Sequence, residues 1–208
     1  TEKAAQSIKS QIGLALTALG LDVGLVGTMY VGTIHSYCQY LLAEMDPIYR
    51  QVDVLDDNMF TLFLMSRYAG LGLADLRRSR RQPRRQDGRL EFVDPGYFKT
   101  IDEVAGAWKT MNDELVRVED VERHDALLGG VLKCLGERLD HDQFIDFSLM
   151  VRRCVDKLGA DGVVPEPIRR LDHVLVDEYQ DVNPAQEELI RLMHKHSRTL
   201  FVVGADDQ

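Results

Sequence analysis

Cysteine, tryptophan and long apolar runs are scarce in this chain, and basic charge is outweighed by acid. The three cysteines, Cys38, Cys134 and Cys154, are odd in number, far apart and never spaced Cys-x-x-Cys. That argues against a disulfide framework and for reduced thiols packed as small hydrophobes, the setting of a cytoplasmic protein. No stretch approaches the roughly 18–20 apolar residues that span a bilayer, so no membrane partner is expected. The chain opens on Thr1 without the pattern of a signal peptide. Its 25 Lys and Arg face 34 Asp and Glu, a net charge of −9; the total alone points away from nucleic acid, so any such contact must come from local distribution. Internal repeats, low-complexity tracts and a Gly-x-x-x-x-Gly-Lys-[Ser/Thr] phosphate loop are also missing. With 208 residues, one or two domains with an ample core remain possible.

What is present centres on Leu171–Gln186. Val174-Leu175-Val176 reads as a buried parallel strand, and it ends abruptly in Asp177 and Glu178. Ligands of open α/β sheets sit outside the carboxyl ends of strands. Two carboxylates there can divide nucleotide hydrolysis between them: Asp177 as a Mg²⁺ ligand, Glu178 orienting or activating the attacking water. Asn183-Pro184-x-Gln186 then marks a helix start, with Asn as N-cap, Pro at the first position and Gln three residues beyond the cap. Leu189, Leu192 and Met193 give that helix an apolar stripe. A second strand, Leu200–Val203, ends in Gly204-Ala205-Asp206-Asp207-Gln208. The whole is a βαβ unit with two loops on one edge.

The rest of the chain supports this unit. Thr1-Glu2-Lys3-Ala4-Ala5 starts a helix capped by Thr1, with Ala4, Ile8, Ile12 and Leu16 on a buried face. Gly20–Gly27 is rich in turns. Met29–Gly32 is predicted as a strand whose carboxyl end carries Thr33-Ile34-His35-Ser36, followed by a helix from about Tyr37 to Met45. Asp46-Pro47 breaks the pattern. Amphipathic helices are predicted over Asp57–Tyr68, Tyr97–Asp113, Ala126–Arg138 and Phe144–Leu158, with Trp108 in their core, and Gly159–Pro167 as a linker. Arg77, Arg78, Arg80, Arg81, Arg84, Arg85 and Arg89 crowd thirteen residues broken by Pro83 and Gly88. That composition predicts a mobile loop or arm able to touch a phosphate backbone.

These stretches together resemble the UvrD/Rep-like superfamily 1 DNA helicases. Asp177-Glu178-Tyr179-Gln180-Asp181 with Asn183, Pro184 and Gln186 is similar to that family's Mg²⁺-ATP motif, and Val202–Gln208 resembles the next one. Thr1-x-Lys3-Ala4-Ala5 and Thr33-Ile34-His35-Ser36 resemble its two DNA-contact motifs, and Ile145–Met150 a helix usually written Asp-Phe-Asp-Asp-Leu. Three positions depart from the pattern: Ala205 stands where an acid is usual, Ile34 where an aromatic is, and Ser148 where a second acid is.

The resemblance implies an α/β fold, a partial RecA-like P-loop NTPase domain with a parallel sheet and a mostly helical inserted subdomain. Its parts would be 1–46 and 141–208 for the motor domain and 47–140 for the insertion. It implies ATP and Mg²⁺ as cofactors, and as partners single-stranded DNA and the junction with duplex. The activity implied is ATP-dependent DNA unwinding, 3′ to 5′, in the intact protein. Asp177 would bind the metal, Glu178 would serve as base, and Gln208 would sense the γ-phosphate. Thr1, Lys3, Thr33 and His35 would hold DNA, with Arg77, Arg78, Arg80 and Arg81 beside the duplex. The family's phosphate loop lies upstream of the Thr-x-Lys-Ala-Ala motif, so the 208 residues are expected to be an interior piece, inactive alone. Two rivals are a non-catalytic DNA-binding scaffold derived from a helicase and a metal-dependent nuclease. The helicase reading expects the strand tips bearing Thr33, Asp177 and Gly204 to share one rim.

Overall fold

The computed structural model describes residues 2–86, 89–160 and 164–205. Helix α1 (Glu2–Ala18) leads into a short 3₁₀ turn, Val23–Thr28, opened by the Asp22 carboxylate on the Gly24 N–H. That turn is its main packing partner, too small to cover an apolar stripe. The face expected to be buried is therefore only partly covered: Ile8 is 41% exposed, Ile12 and Leu16 are half-buried, and among the described residues none before Tyr37 is buried. The predicted strand Met29–Gly32 is also absent. Met29 instead caps the 3₁₀ turn through Val26 O, and Tyr30 gives its hydroxyl to Ser36 Oγ at 2.8 Å. With no neighbouring strand to pair with, these residues follow local side-chain bonds.

Helix α2 (Ile34–Met45) starts three residues before the predicted Tyr37, because Thr33 Oγ1 accepts the Ser36 N–H at 3.1 Å as an N-cap. Tyr37, Cys38, Leu41 and Leu42 recur at helical spacing and are buried. Asp46 closes α2 and caps the turn Pro47–Arg50. Strand β1 (Asp53–Leu55) follows, then α3 (Asp57–Ser66), whose cap Asp56 accepts the Met59 N–H at 2.8 Å. A left-handed Gly72, φ +79°, introduces α4 (Leu73–Ser79).

The described part of the arginine-rich stretch forms regular structure where a loop or arm is predicted. Arg77 and Arg78 form the last turn of α4, and β2 (Gln82–Gln86) pairs antiparallel with β3 (Arg89–Val93). Charge opposes packing only where it lacks partners, and here acids from other elements supply them.

Helices α5 (Tyr97–Asp113), α6 (Val118–His124) and α7 (Ala126–His141) precede β4 (Phe144–Asp146) and α8 (Phe147–Gly159). The stretch predicted as one helix from Phe144 is thus a strand followed by a helix. The chain ends with α9 (Glu166–Arg169), β5 (His173–Val176), α10 (Pro184–His194) and β6 (Thr199–Val202). β1 pairs parallel with β4, and β5 with β6 in the register Val174 to Leu200. The fold is mixed α/β, mostly helical with small parallel sheets. A continuous core runs from Tyr37 to Leu192, with α8 packed on α2, α5 and α10. Cys38 and Cys154 lie in it as expected, whereas Cys134 is half-buried at its margin.

A polar knot sits inside this core. Asp146 caps α8 through the Ser148 N–H, accepts the Ser148 hydroxyl at 2.6 Å and accepts Trp108 Nε1 at 2.8 Å. Asn112 adds its amide to Ser148 Oγ at 3.2 Å. Trp108, 3% exposed, lies against Phe60, which confirms its place in the core. Asp146→Ala is expected to cost about 1–3 kcal/mol for each buried donor left without a partner. The urea midpoint at constant m-value reads this, and Asp146→Asn should recover part of the loss.

A second clamp joins α7 to the end of α3. The Asp142 carboxylate, 11% exposed, meets His141, Arg67 and Arg138. Chiefly the His141 contact, then the two guanidinium groups, holds its pKa down to about 2. A depressed carboxylate stabilises the fold fully above its unfolded value of about 3.9, and that contribution is lost as pH falls through about 2. Asp142→Asn should therefore flatten the stability profile over that window, as followed by acid titration of the circular dichroism.

Candidate functional site

The ladder between β5 and β6 runs one residue past their ends, Val203 N–H to Val176 O at 2.9 Å. Beyond it the chain turns sharply. Asp177 and Glu178 are exposed, and Asp177 Oδ1 accepts the Glu178 N–H at 3.0 Å. Glu178 adopts the left-handed conformation, φ 53° and ψ 45°, which costs a residue with a Cβ roughly 1–2 kcal/mol and is concentrated at functional sites. The Tyr179 N–H then bonds to Val203 O at 2.8 Å, folding the acid loop back onto the tip of β6. Gln180 continues the contact, with Oε1 on the Ala205 N–H at 3.0 Å and Nε2 on Glu178 Oε2. The tips bearing Asp177 and Gly204 are therefore neighbours.

Helix α10 starts six residues after Glu178, with the reciprocal capping box read from the sequence: Asn183 Oδ1 accepts Gln186 N–H at 2.9 Å, and Gln186 Oε1 accepts Asn183 N–H at 3.2 Å. Its amino end and the hard carboxylate oxygens of Asp177 and Glu178 lie on the same side of the βαβ unit. Asp177 Oδ2 has no protein partner among the described residues, so it can take a divalent cation. Among those residues no three His, Cys, Asp or Glu gather as for a metal. One or two carboxylates suit Mg²⁺ that is bound mostly through phosphate and water. β5 itself is less buried than expected, since Leu175 is 73% exposed and Phe201 on β6 is 60% exposed. A two-stranded pair covered by α10 on one side leaves its other face open.

Thr33 and His35 lie at the amino end of α2 rather than on a strand tip, so the expected rim of three strands is not formed among the described residues. His35 is half-buried and packs on Phe147, with ring centroids 5.0 Å apart. Burial, helped by the nearby Lys109 charge and opposed by Asp146, lowers its pKa and favours the neutral ring. Asp113, at the carboxyl end of α5, has its pKa pushed up by burial. Helix α10 also packs against α5. Lys3 is exposed in the first turn of α1. Thr1 and Gln208, with Asp206 and Asp207, lie outside the described residues.

Of the four arginines, Arg77 pairs with Asp94 at 2.7 Å, and Arg80 with Glu103 at 2.7 Å and with Asp125. Those partners raise both pKa values further. Arg78 pairs locally with Asp75 and keeps 65% of its side chain exposed, while Arg81 keeps 49% and reaches Asp94 only at 3.5 Å. The sequence reading missed Gln180, Lys109, Asp113 and the buried Asp146. Gln180 and Asp146 stood within the quoted motifs; Lys109 and Asp113, both on α5, had no motif to mark them.

A parallel βαβ unit with paired acids at its carboxyl edge defines a protein class suited to a cation and phosphates. The particular family follows from the sequence: the UvrD/REP helicase N-terminal domain matches residues 1–208, and the chain belongs to that family. Among similar proteins, the ATP-dependent DNA helicase PcrA of Staphylococcus epidermidis is 29% identical over 112 residues, 50% of this chain and 15% of that protein. The putative ATP-dependent DNA helicase YjcD of Bacillus subtilis is 30% identical over 73 residues, 35% of this chain and 10% of its own length. A probable DNA helicase II homolog of Mycoplasma genitalium is 32% identical over 77 residues, 36% of this chain and 10% of that protein. The chain thus spans a small part of the relatives it matches.

The capping box can be tested directly. Asn183→Ala is expected to lower stability by about 1 kcal/mol, read from the thermal midpoint. Gln186→Ala should add less in the double variant than alone, since the two side chains share one motif.

Proposed function

We propose that this chain is part of the motor of an ATP-dependent DNA helicase that moves 3′ to 5′ on single-stranded DNA and opens the junction with duplex. In this reading 1–46 and 141–208 belong to a RecA-like domain, and 47–140 is a helical insertion beside the duplex. The observation that carries it is the Tyr179–Val203 bond, which lays the acid loop on the tip of β6 at the carboxyl edge of a parallel pair. MgATP, when bound, would supply the phosphoryl group and part of the charge balance. Asp177 would hold the cation through Oδ2, which has no protein partner among the described residues. Glu178, fixed in its left-handed turn, accepts the proton of the attacking water. Gln208, three residues beyond Ala205 in the sequence, would read the γ-phosphate.

Thr1, Lys3, Thr33 and His35 hold the single strand. His35, favoured in the neutral form, does so by hydrogen bonding rather than by charge. Arg78 and Arg81, with more exposed guanidinium groups, face phosphates; Arg77 and Arg80 brace the end of α4 and the connection to β2 that carry them.

Glu178→Gln in the full-length protein is expected to cut ATP turnover on the order of 10²–10⁴-fold while nucleotide binding persists. Normal turnover would remove the assignment. The 208-residue chain alone, which contains no phosphate loop, should show no ATPase activity in a coupled assay, with or without DNA. For DNA, Arg81→Ala should reduce the slope of log affinity against log salt by about 0.7. His35→Ala should weaken binding and leave that slope unchanged, as fluorescence anisotropy at several salt concentrations would read.

A further inference from the structure

Gln180 is exposed, yet its amide makes two protein bonds where an exposed side chain would ordinarily bond water. Its Oε1 accepts the Ala205 N–H at 3.0 Å across 25 residues of sequence, and its Nε2 donates to Glu178 Oε2. Only one orientation of the amide fits, since the backbone N–H demands the oxygen and the carboxylate demands the NH₂. The neighbouring glycine makes room for it. A Cβ on Gly204 would come within 2.6 Å of Gln180 Oε1 and 3.3 Å of its backbone nitrogen. Glycine here serves a close approach rather than a positive φ.

We propose that Gln180 is a positioning residue that ties the Glu178 carboxylate to the tip of β6 at Gly204-Ala205, so that the base is held in one orientation. The proposal rests on the reading of Glu178 as the base that handles the attacking water. A glutamate on a solvent-facing turn has several rotamers, and a catalytic group loses rate steeply when its aim is loose. The backbone bond from Tyr179 to Val203 already fixes the loop. What it does not fix is the carboxylate, and Gln180 reaches both that group and the strand tip.

Three substitutions separate the two bonds. Gln180→Ala removes both. Gln180→Glu keeps an oxygen for Ala205 but places a repelling carboxylate beside Glu178. Gly204→Ala pushes the amide off the Ala205 N–H. In the 208-residue chain, hydrogen exchange at Ala205 should quicken about three- to tenfold in Gln180→Ala and Gly204→Ala. In Gln180→Glu it should stay near the unsubstituted rate. In the full-length protein kcat for ATP should fall on the order of 10²-fold in Gln180→Ala and in Gln180→Glu, with KM little changed. The Gln180→Ala, Gly204→Ala double variant should lose no more than Gln180→Ala.

Unchanged exchange at Ala205 in Gln180→Ala would overturn the contact. Full turnover in Gln180→Glu, or additive losses in the double variant, would overturn the positioning role and leave Glu178 untouched. Normal turnover in Glu178→Gln would instead remove the base assignment, and this proposal with it.

Discussion

The carboxylate of Asp146 is the point on which the packing depends. It ends β4, caps α8, and accepts the Trp108 indole of α5 and the Ser148 hydroxyl inside an otherwise apolar core. α8 in turn packs on α2, α5 and α10, the helices that bear His35, Asp113 and the Asn183 cap. A buried charge is tolerated only when its acceptor capacity is filled. Here the filling groups come from its own turn and from α5, so the orientation of α8 and the placement of α5 are set together.

The candidate site is built on a different principle. Its carboxylates are exposed and are aimed by backbone geometry: a ladder that overruns its strands, a left-handed glutamate, and a loop folded back onto β6. Rigidity at the acid pair therefore comes from hydrogen bonds between two strand tips, with little apolar burial near it. This is the expected division between a packed scaffold and a polar rim. Helix α5, which bears Lys109 and Asp113, packs on both α8 and α10.

The arginine stretch shows how local composition misleads. Seven arginines in thirteen residues suggest a solvated arm, yet Arg77 and Arg80 find Asp94, Glu103 and Asp125 from α5, its leading loop and the α7 cap. Distant acids convert a repelling run into a braced helix end and hairpin. The opposite error occurs at Met29–Gly32 and on α1, where apolar residues promise a strand and a buried face, but the described chain provides no sheet or helix large enough to receive them.

The sequence by itself determined whatever depends on near neighbours. The capping box of α10, the limits of α5, the strand that stops at Asp177 and a second strand, expected over Leu200–Val203 and found at Thr199–Val202, all follow from residues within a few positions of one another. The family is of the same kind, since its motifs are short contiguous runs. Tertiary structure alone decided which charges are paired, that Asp146 lies buried beneath Trp108, that Thr33 caps a helix instead of ending a strand, and that Gln180 reaches Ala205. Those outcomes depend on contacts between residues far apart in the chain, whose free energies exist only once the elements have met.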